Sequence, residues 1–335
     1  MTTQTVTSRS SSAQVRPELS SLDRSRSDRS KLWLAAIKPP MYCVAVMPVC
    51  VGSAIAYVQT GKFHLSTFCT FAFSAVFILV WENLTNDVFD AETGIDENKH
   101  HSLVNLTRNR SFIFWLANAA LAIGVAGIIS IAFQMKDITV LAMVLCCCAL
   151  GYLYQGPPFR LGYKGLGEIL CFLSFGPLAV GAAYYSQTSE PLWNAQIWSW
   201  QEPLLPSALL VGLTTTLVLF CSHFHQVEDD LKAGKRSPIV RLGTKRGAQV
   251  LSLACVMVLA IWMIARIQGG FPPATLIALA SAPVAVNLCQ HVSRFHADPT
   301  RVSNSKFLAI RFHVLSGLLL ISGLLISASQ LTAPQ

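Results

Sequence analysis

The residues most able to do chemistry are carboxylates gathered in two short stretches. The first reads Glu82-Asn83-Leu84-Thr85-Asn86-Asp87-Val88-Phe89-Asp90-Ala91-Glu92-Thr93-Gly94-Ile95-Asp96. The second reads His223-Phe224-His225-Gln226-Val227-Glu228-Asp229-Asp230, followed at once by Lys232, Lys235, Arg236 and Arg241. On a helix, Asn83, Asn86, Asp87 and Asp90 fall three or four apart and share a face. Carboxylates with an amide at this spacing suit Mg²⁺, which takes oxygen ligands and leaves room for phosphate oxygens. Acids for a metal beside bases for a phosphate is the pairing that a metal–diphosphate complex requires. A third stretch, Tyr152 to Glu168, breaks a helix at Gly156-Pro157-Pro158 and presents Arg160 and Lys164 before Glu168 enters the next apolar run.

The elements that must carry these residues are set by hydropathy. Of 335 residues, 53% are hydrophobic and only 13% charged, against roughly a quarter charged in soluble domains. The fold class is therefore all-α and polytopic. Nine apolar runs of about the ~20 residues that cross a bilayer lie near Tyr42–Gln59, Leu65–Leu84, Phe112–Phe133, Ile138–Tyr154, Leu166–Tyr185, Leu204–Ser222, Val250–Arg266, Pro272–His291 and Phe312–Ser327. None has the ten-residue alternation of a barrel strand. The ten cysteines all fall in these runs, without metal-ligand spacing, and read as packing residues.

Charge supplies the topology. With a cytosolic N-terminus and nine alternating spans, all of the 25 Lys and Arg except Lys62, Lys136 and Arg266 fall on the cytosolic side, as the positive-inside rule demands. The net charge of +8 is thus topological, and no nucleic-acid partner is expected. Residues 1–30 are Ser- and Arg-rich and read as a disordered cytosolic tail. Lys31–Pro40 reads as a short interfacial helix, and residues 31–330 as the transmembrane domain.

Both acidic stretches then lie at the cytosolic ends of spans 2 and 6. A plain solvated loop explains them poorly, because a helix C-terminus already carries about half a negative charge. A basic loop under the positive-inside rule accounts for the cations after Asp230 but not for three consecutive acids. A cation- or proton-coupled transporter would set its ionisable groups mid-membrane at broken helices, and here they gather at one edge.

These motifs resemble the UbiA-type superfamily of intramembrane prenyltransferases. Asn86-Asp87-x-x-Asp90 with Gly94-x-Asp96 is similar to the first aspartate-rich motif of its 1,4-dihydroxy-2-naphthoate branch. Gly156-Pro157-Pro158 with Tyr163-Lys164-Gly165-Leu166-Gly167-Glu168 resembles that branch's loop between spans 4 and 5. His223 through Arg241 resembles the second motif, in the phytyl-transferring form of photosynthetic organisms. In the wider superfamily that motif has aspartates four apart; here Gln226 stands where the first would be.

The resemblance implies about nine helices around a central cavity, in a cell inner or thylakoid membrane, with the active-site loops cytosolic. It implies Mg²⁺ held by Asp87, Asp90, Asp96 and Asp230, with Glu228 or Asp229 assisting. Asn86, Arg160, Lys164, Lys235, Arg236 and Arg241 would hold the diphosphate, with Asp87, Asp90, Asp230, Lys164 and Lys235 catalytic. The implied partners are a phytyl or similar isoprenoid diphosphate, 1,4-dihydroxy-2-naphthoate and membrane lipid, in phylloquinone or menaquinone biosynthesis. Another aromatic or chlorophyll-type prenyltransferase of the superfamily is the alternative.

Overall fold

Lipid offers no partner for backbone amides, so each apolar run must close its hydrogen bonds within itself as a helix. A computed structural model describes residues 38–93, 102–189, 192 and 194–332; Asp96, Gly94, residues 1–30 and most of Lys31–Pro40 lie outside them. The spans are α1 (Cys43–Thr60), α2 (Leu65–Thr93), α3 (Arg110–Met135), α4 (Thr139–Gln155), α5 (Gly167–Thr188), α6 (Leu204–Ser222), α7 (Thr244–Gln268), α8 (Pro273–Phe295) and α9 (Ser305–Thr332). Among the described residues, eight helices are long and apolar enough to cross a membrane. The remaining expected span, α4, has 17 residues, about 26 Å of helix, at the short end of what spans.

Two apolar cores hold the bundle. One joins α2, α3 and α4 through Phe71, Ile78, Ile113, Ile128 and Val144. The other joins α6 to α9 through Leu217, Leu251, Trp262, Leu288 and Phe312. Helices α1 and α5 serve both, with Val49 and Ala183 in the first core and Val51 and Tyr184 in the second. Since lipid tails are as apolar as leucine, close packing between helices supplies much of the cohesion. Gly176 and Gly212 face each other where α5 crosses α6, and a Cβ on either would press on the other's backbone.

Two departures from regular helix shape the interior. Pro177 has no N–H to donate, and α5 loosens into a π turn over Ser174–Leu178. Such turns re-aim side chains and recur at functional sites; here Ser174 and Phe175 are turned into a central cavity. The other departure corrects the expectation for the second acidic stretch. Span α6 stops at Ser222, and Glu228, Asp229 and Asp230 begin a separate helix, Val227–Lys232. These acids therefore sit in a first turn, where the helix dipole favours negative charge, and not on the C-terminus of α6.

Candidate active site

Span α2 runs unbroken through Thr93, so the first motif is helical as expected. Asp87 and Asp90 are both buried. Asp87 accepts the Leu103 N–H at 3.0 Å and lies 3.6 Å from Lys38 Nζ. Asp90 accepts the Tyr163 hydroxyl at 2.9 Å, and Tyr163 Oη lies 2.8 Å from Thr93 Oγ1. The four polar residues do not share one neighbour. Asn83 and Asn86 line the central cavity, whereas Asp87 heads a cleft on the other flank of α2.

The second motif is more enclosed. Asp230 is fully buried, 3.3 Å from Lys235 Nζ and 3.5 Å from His223 Nδ1. His223 Nε2 is in turn 3.4 Å from Glu168. Burial pushes the Asp230 carboxyl up, but His223, Lys235 and Ser237 more than offset that and hold it below the usual carboxylate range. Glu228, on the same short helix, is exposed.

Tyr163 joins the motifs. Its hydroxyl binds Asp90, its carbonyl accepts the Arg236 N–H at 2.8 Å, and its ring has Lys235 Nζ 5.7 Å and Arg160 5.8 Å from the centroid. Burial and the Asp90 charge push the phenol well up, so it donates its proton to Asp90 rather than ionising. The sequence placed Tyr163 in a signature without a role, because only the fold brings the loop between α4 and α5 against both acidic segments.

The expected phosphate cations divide by environment. Lys235 is buried beside Asp230. Lys164 and Arg236 are exposed. Arg160 is taken by Glu92 at 2.8 Å, which also pairs with Arg110. Arg241 clamps the two loops, donating to the Lys164 carbonyl at 2.6 Å and the Arg236 carbonyl at 3.1 Å.

Beneath this mouth lies a cavity of about 200 Å³. Its polar end carries Asn83, Asn86, Ser222 and Lys306; its body is Leu79, Phe175 and Val218. A deeper apolar space of about 60 Å³ shares Leu79, Glu82, Ser174 and Phe175 with it. On the outer flank of α2, an apolar cleft of about 360 Å³ runs from Asn83 and Asp87 past Phe112, Leu116 and Ile123, whose side chains are exposed. Glu82 and His313 are ionisable groups that lie within spans α2 and α9. An acid within the apolar run Phe77–Leu84 was the available signal for Glu82.

Among the described residues, no three acids, histidines or cysteines already converge as a metal centre. The donor chemistry nevertheless fits a hard cation. Asp87, Asp90 and Asp230 offer carboxylate oxygens, and both ion-pair contacts of Asp230 exceed the ~2.7–2.9 Å of a tight charged hydrogen bond. Its oxygens are thus under-satisfied and able to take a further cation.

Comparison with known proteins agrees with this architecture. The chain is 53% identical over 293 residues to the 2-carboxy-1,4-naphthoquinone phytyltransferase of Synechocystis, covering 88% of this chain and 92% of that protein. It is 40% identical to the chloroplastic enzyme of the same name from Arabidopsis thaliana, over 89% and 78% of the respective chains. The structure of a UbiA homolog from Archaeoglobus fulgidus bound to GPP and Mg²⁺ superposes with a TM-score of 0.57 at 14% identity, over 86% of this chain and 99% of that one. The UbiA prenyltransferase family model matches residues 45–326, and this multi-pass membrane protein belongs to that family.

Proposed function

We propose that the protein transfers a phytyl, or similar isoprenoid, group from its diphosphate to 1,4-dihydroxy-2-naphthoate with loss of CO₂, in an Mg²⁺-dependent reaction. The observation that carries this reading is the meeting of two acid-and-base segments through Tyr163 above one amphipathic cavity. The names of the Synechocystis and Arabidopsis relatives carry a carboxylated 1,4-naphthoquinone and a phytyl group. This supports the phytyl donor and an acceptor of the same carbon skeleton, taken here in its reduced, dihydroxy form. The archaeal complex with GPP and Mg²⁺ supports the donor chemistry.

In this reading Asp87, Asp90 and Asp230 hold the metal, with Asp96 and Glu228 as further candidate ligands. When bound, Mg²⁺ supplies positive charge against the diphosphate oxygens. Lys235 is held at the mouth by Asp230, and Lys164 and Arg236 reach it from the loops, so that cations face the leaving group as its charge grows. Charge fixed in advance inside a site that excludes water is typically the largest single catalytic contribution. Arg160 and Arg241 act chiefly by holding the loops around Tyr163. Asn86 orients the head group from the cavity wall. The tail follows the apolar body of the cavity past Leu79 and Phe175, and the faces of Phe175 and Tyr154 stabilise the allylic cation formed on ionisation.

The acceptor ring carbon bearing the carboxylate attacks this cation, and CO₂ then leaves. No enzyme nucleophile is required. Purified protein in detergent or nanodiscs, given phytyl diphosphate and 1,4-dihydroxy-2-naphthoate, should form a phytylated naphthoquinol identified by mass, and EDTA should stop it. Product with homogentisate or a chlorophyllide but not with the naphthoate would overturn the assignment.

A further inference from the structure

One carboxylate takes no part in the diphosphate machinery. Glu82 precedes Asp87 by five residues on α2, roughly 7.5 Å deeper along the axis at ~1.5 Å per residue. Glu82 is half-buried, and it lines both the central cavity and the deeper apolar space behind it. Gly151 on α4 makes the room, because a Cβ there would run into Glu82 Oε1. The carboxyl is thus seated against α4 at the level where Asn83 and Asn86 give way to Leu79 and Phe175.

An ionisable group at this depth is costly to keep, and a purely structural task is already filled. Gln155 Nε2 ties α4 to α2, donating to the Glu82 carbonyl at 3.0 Å and to Thr85 Oγ1 at 2.7 Å. Lys306, which lines the same cavity, has the sign to meet a carboxylate on an acceptor.

We propose that Glu82 is a catalytic base toward the aromatic acceptor, taking the hydroxyl proton of a hydroxynaphthoate as its ring carbon attacks. The proposal rests on the acceptor class assigned above. The C1–oxygen bond of the donor breaks first, its electron pair leaving with the diphosphate, and the ring carbon then bonds to C1 of the resulting allylic cation. The neighbouring O–H pair becomes part of a C=O bond, and the proton passes to the Glu82 carboxylate. The resulting β-keto carboxylate loses CO₂, the released electron pair restores the aromatic ring, and the oxygen recovers its proton from Glu82. No oxidant is needed, and no proton is gained or lost overall.

The test uses purified full-length protein with phytyl diphosphate, Mg²⁺ and a series of ring-substituted 1,4-dihydroxy-2-naphthoates of increasing hydroxyl acidity. Glu82→Gln is expected to lower kcat about 10²- to 10⁴-fold, the range for losing a general base, with unchanged donor Kd. The deficit should shrink as the hydroxyl becomes more acidic, and the acidic limb of the pH–rate profile should vanish. A variant within threefold of wild type on every acceptor, or a deficit constant across the series, overturns the role of Glu82. Absence of product from the wild type with every naphthoate would instead overturn the function itself. Should Glu82→Gln fail to accumulate, Gly151→Ala, whose methyl displaces the carboxyl, carries the same test, and wild-type kcat in it overturns the proposal.

Discussion

On α2 the acids belong to the span itself, whereas after α6 they belong to a short helix of their own. Asp87 and Asp90 stand near the C-terminal end of a 29-residue helix, where the backbone dipole opposes them. They are met by groups brought from elsewhere: the Leu103 amide, Lys38 and the Tyr163 hydroxyl. Asp230 has the helix dipole in its favour and takes its partners from nearby sequence, His223 and Lys235. The first motif is therefore completed by tertiary contacts, and the second largely completes itself. Two equivalent metal-binding halves would not behave this way, and the contrast predicts that perturbing the loops should harm the first motif more.

The largest effect should come from the acids themselves. Asp87→Ala and Asp90→Ala are each expected to cut turnover by about 10³-fold or more, roughly 4 kcal/mol of barrier, while the protein still inserts; single-turnover product formation measures this. Wild-type-like activity in either would break the assignment of the first motif.

Next is Lys235→Met, which leaves Asp230 buried without its ammonium partner. Breaking such a pair costs about 3–5 kcal/mol, read as a lower melting temperature in detergent. Asp230→Asn in the same chain should recover most of that stability but not activity.

Tyr163→Phe separates the halves most cleanly. It removes the hydrogen bond to Asp90, worth about 1.5–3 kcal/mol when one partner is charged, so kcat should fall about 10- to 100-fold. The environment of Asp230 should not change. An equal disturbance at both motifs, read by NMR or by Mg²⁺ titration of Asp90→Asn and Asp230→Asn backgrounds, would erase the distinction drawn here.

The smallest effect concerns pH. The Asp230 carboxyl is held below its ordinary value, so its stabilising contribution is complete above the unfolded carboxylate pKa of about 3.9. It is lost as pH falls through the lower folded value. Acid melting of Asp230→Asn should therefore show a shallower loss of stability below about pH 4 than wild type.

The legibility of these features in sequence follows their range. The spans were readable because burial in lipid is decided by local composition; Leu204–Ser222 is the same in the sequence pattern and in the structure. Span ends were less legible. Span α2 continues past Leu84 to Thr93 because its polar extension is covered by other segments, not by lipid. The two acid-bearing stretches were readable because acids are scarce in this chain. Their partners were not: Tyr163 lies 73 residues from Asp90, and Arg241 lies 77 from the Lys164 carbonyl it binds. Glu82 was passed over since its meaning depends on a cavity formed with α4 and α5.

By itself, then, the sequence determined a helical membrane bundle, its segment order and the two stretches bearing acid and base, since hydropathy and residue type act over a few turns of chain. Only the tertiary structure decided that Asp230 begins a new helix, that Tyr163 bridges the motifs, and that Glu82 faces the cavity with room made by Gly151. Those outcomes depend on which helices lie side by side, and helix packing in lipid is chosen by close-fitting surfaces that no single segment encodes.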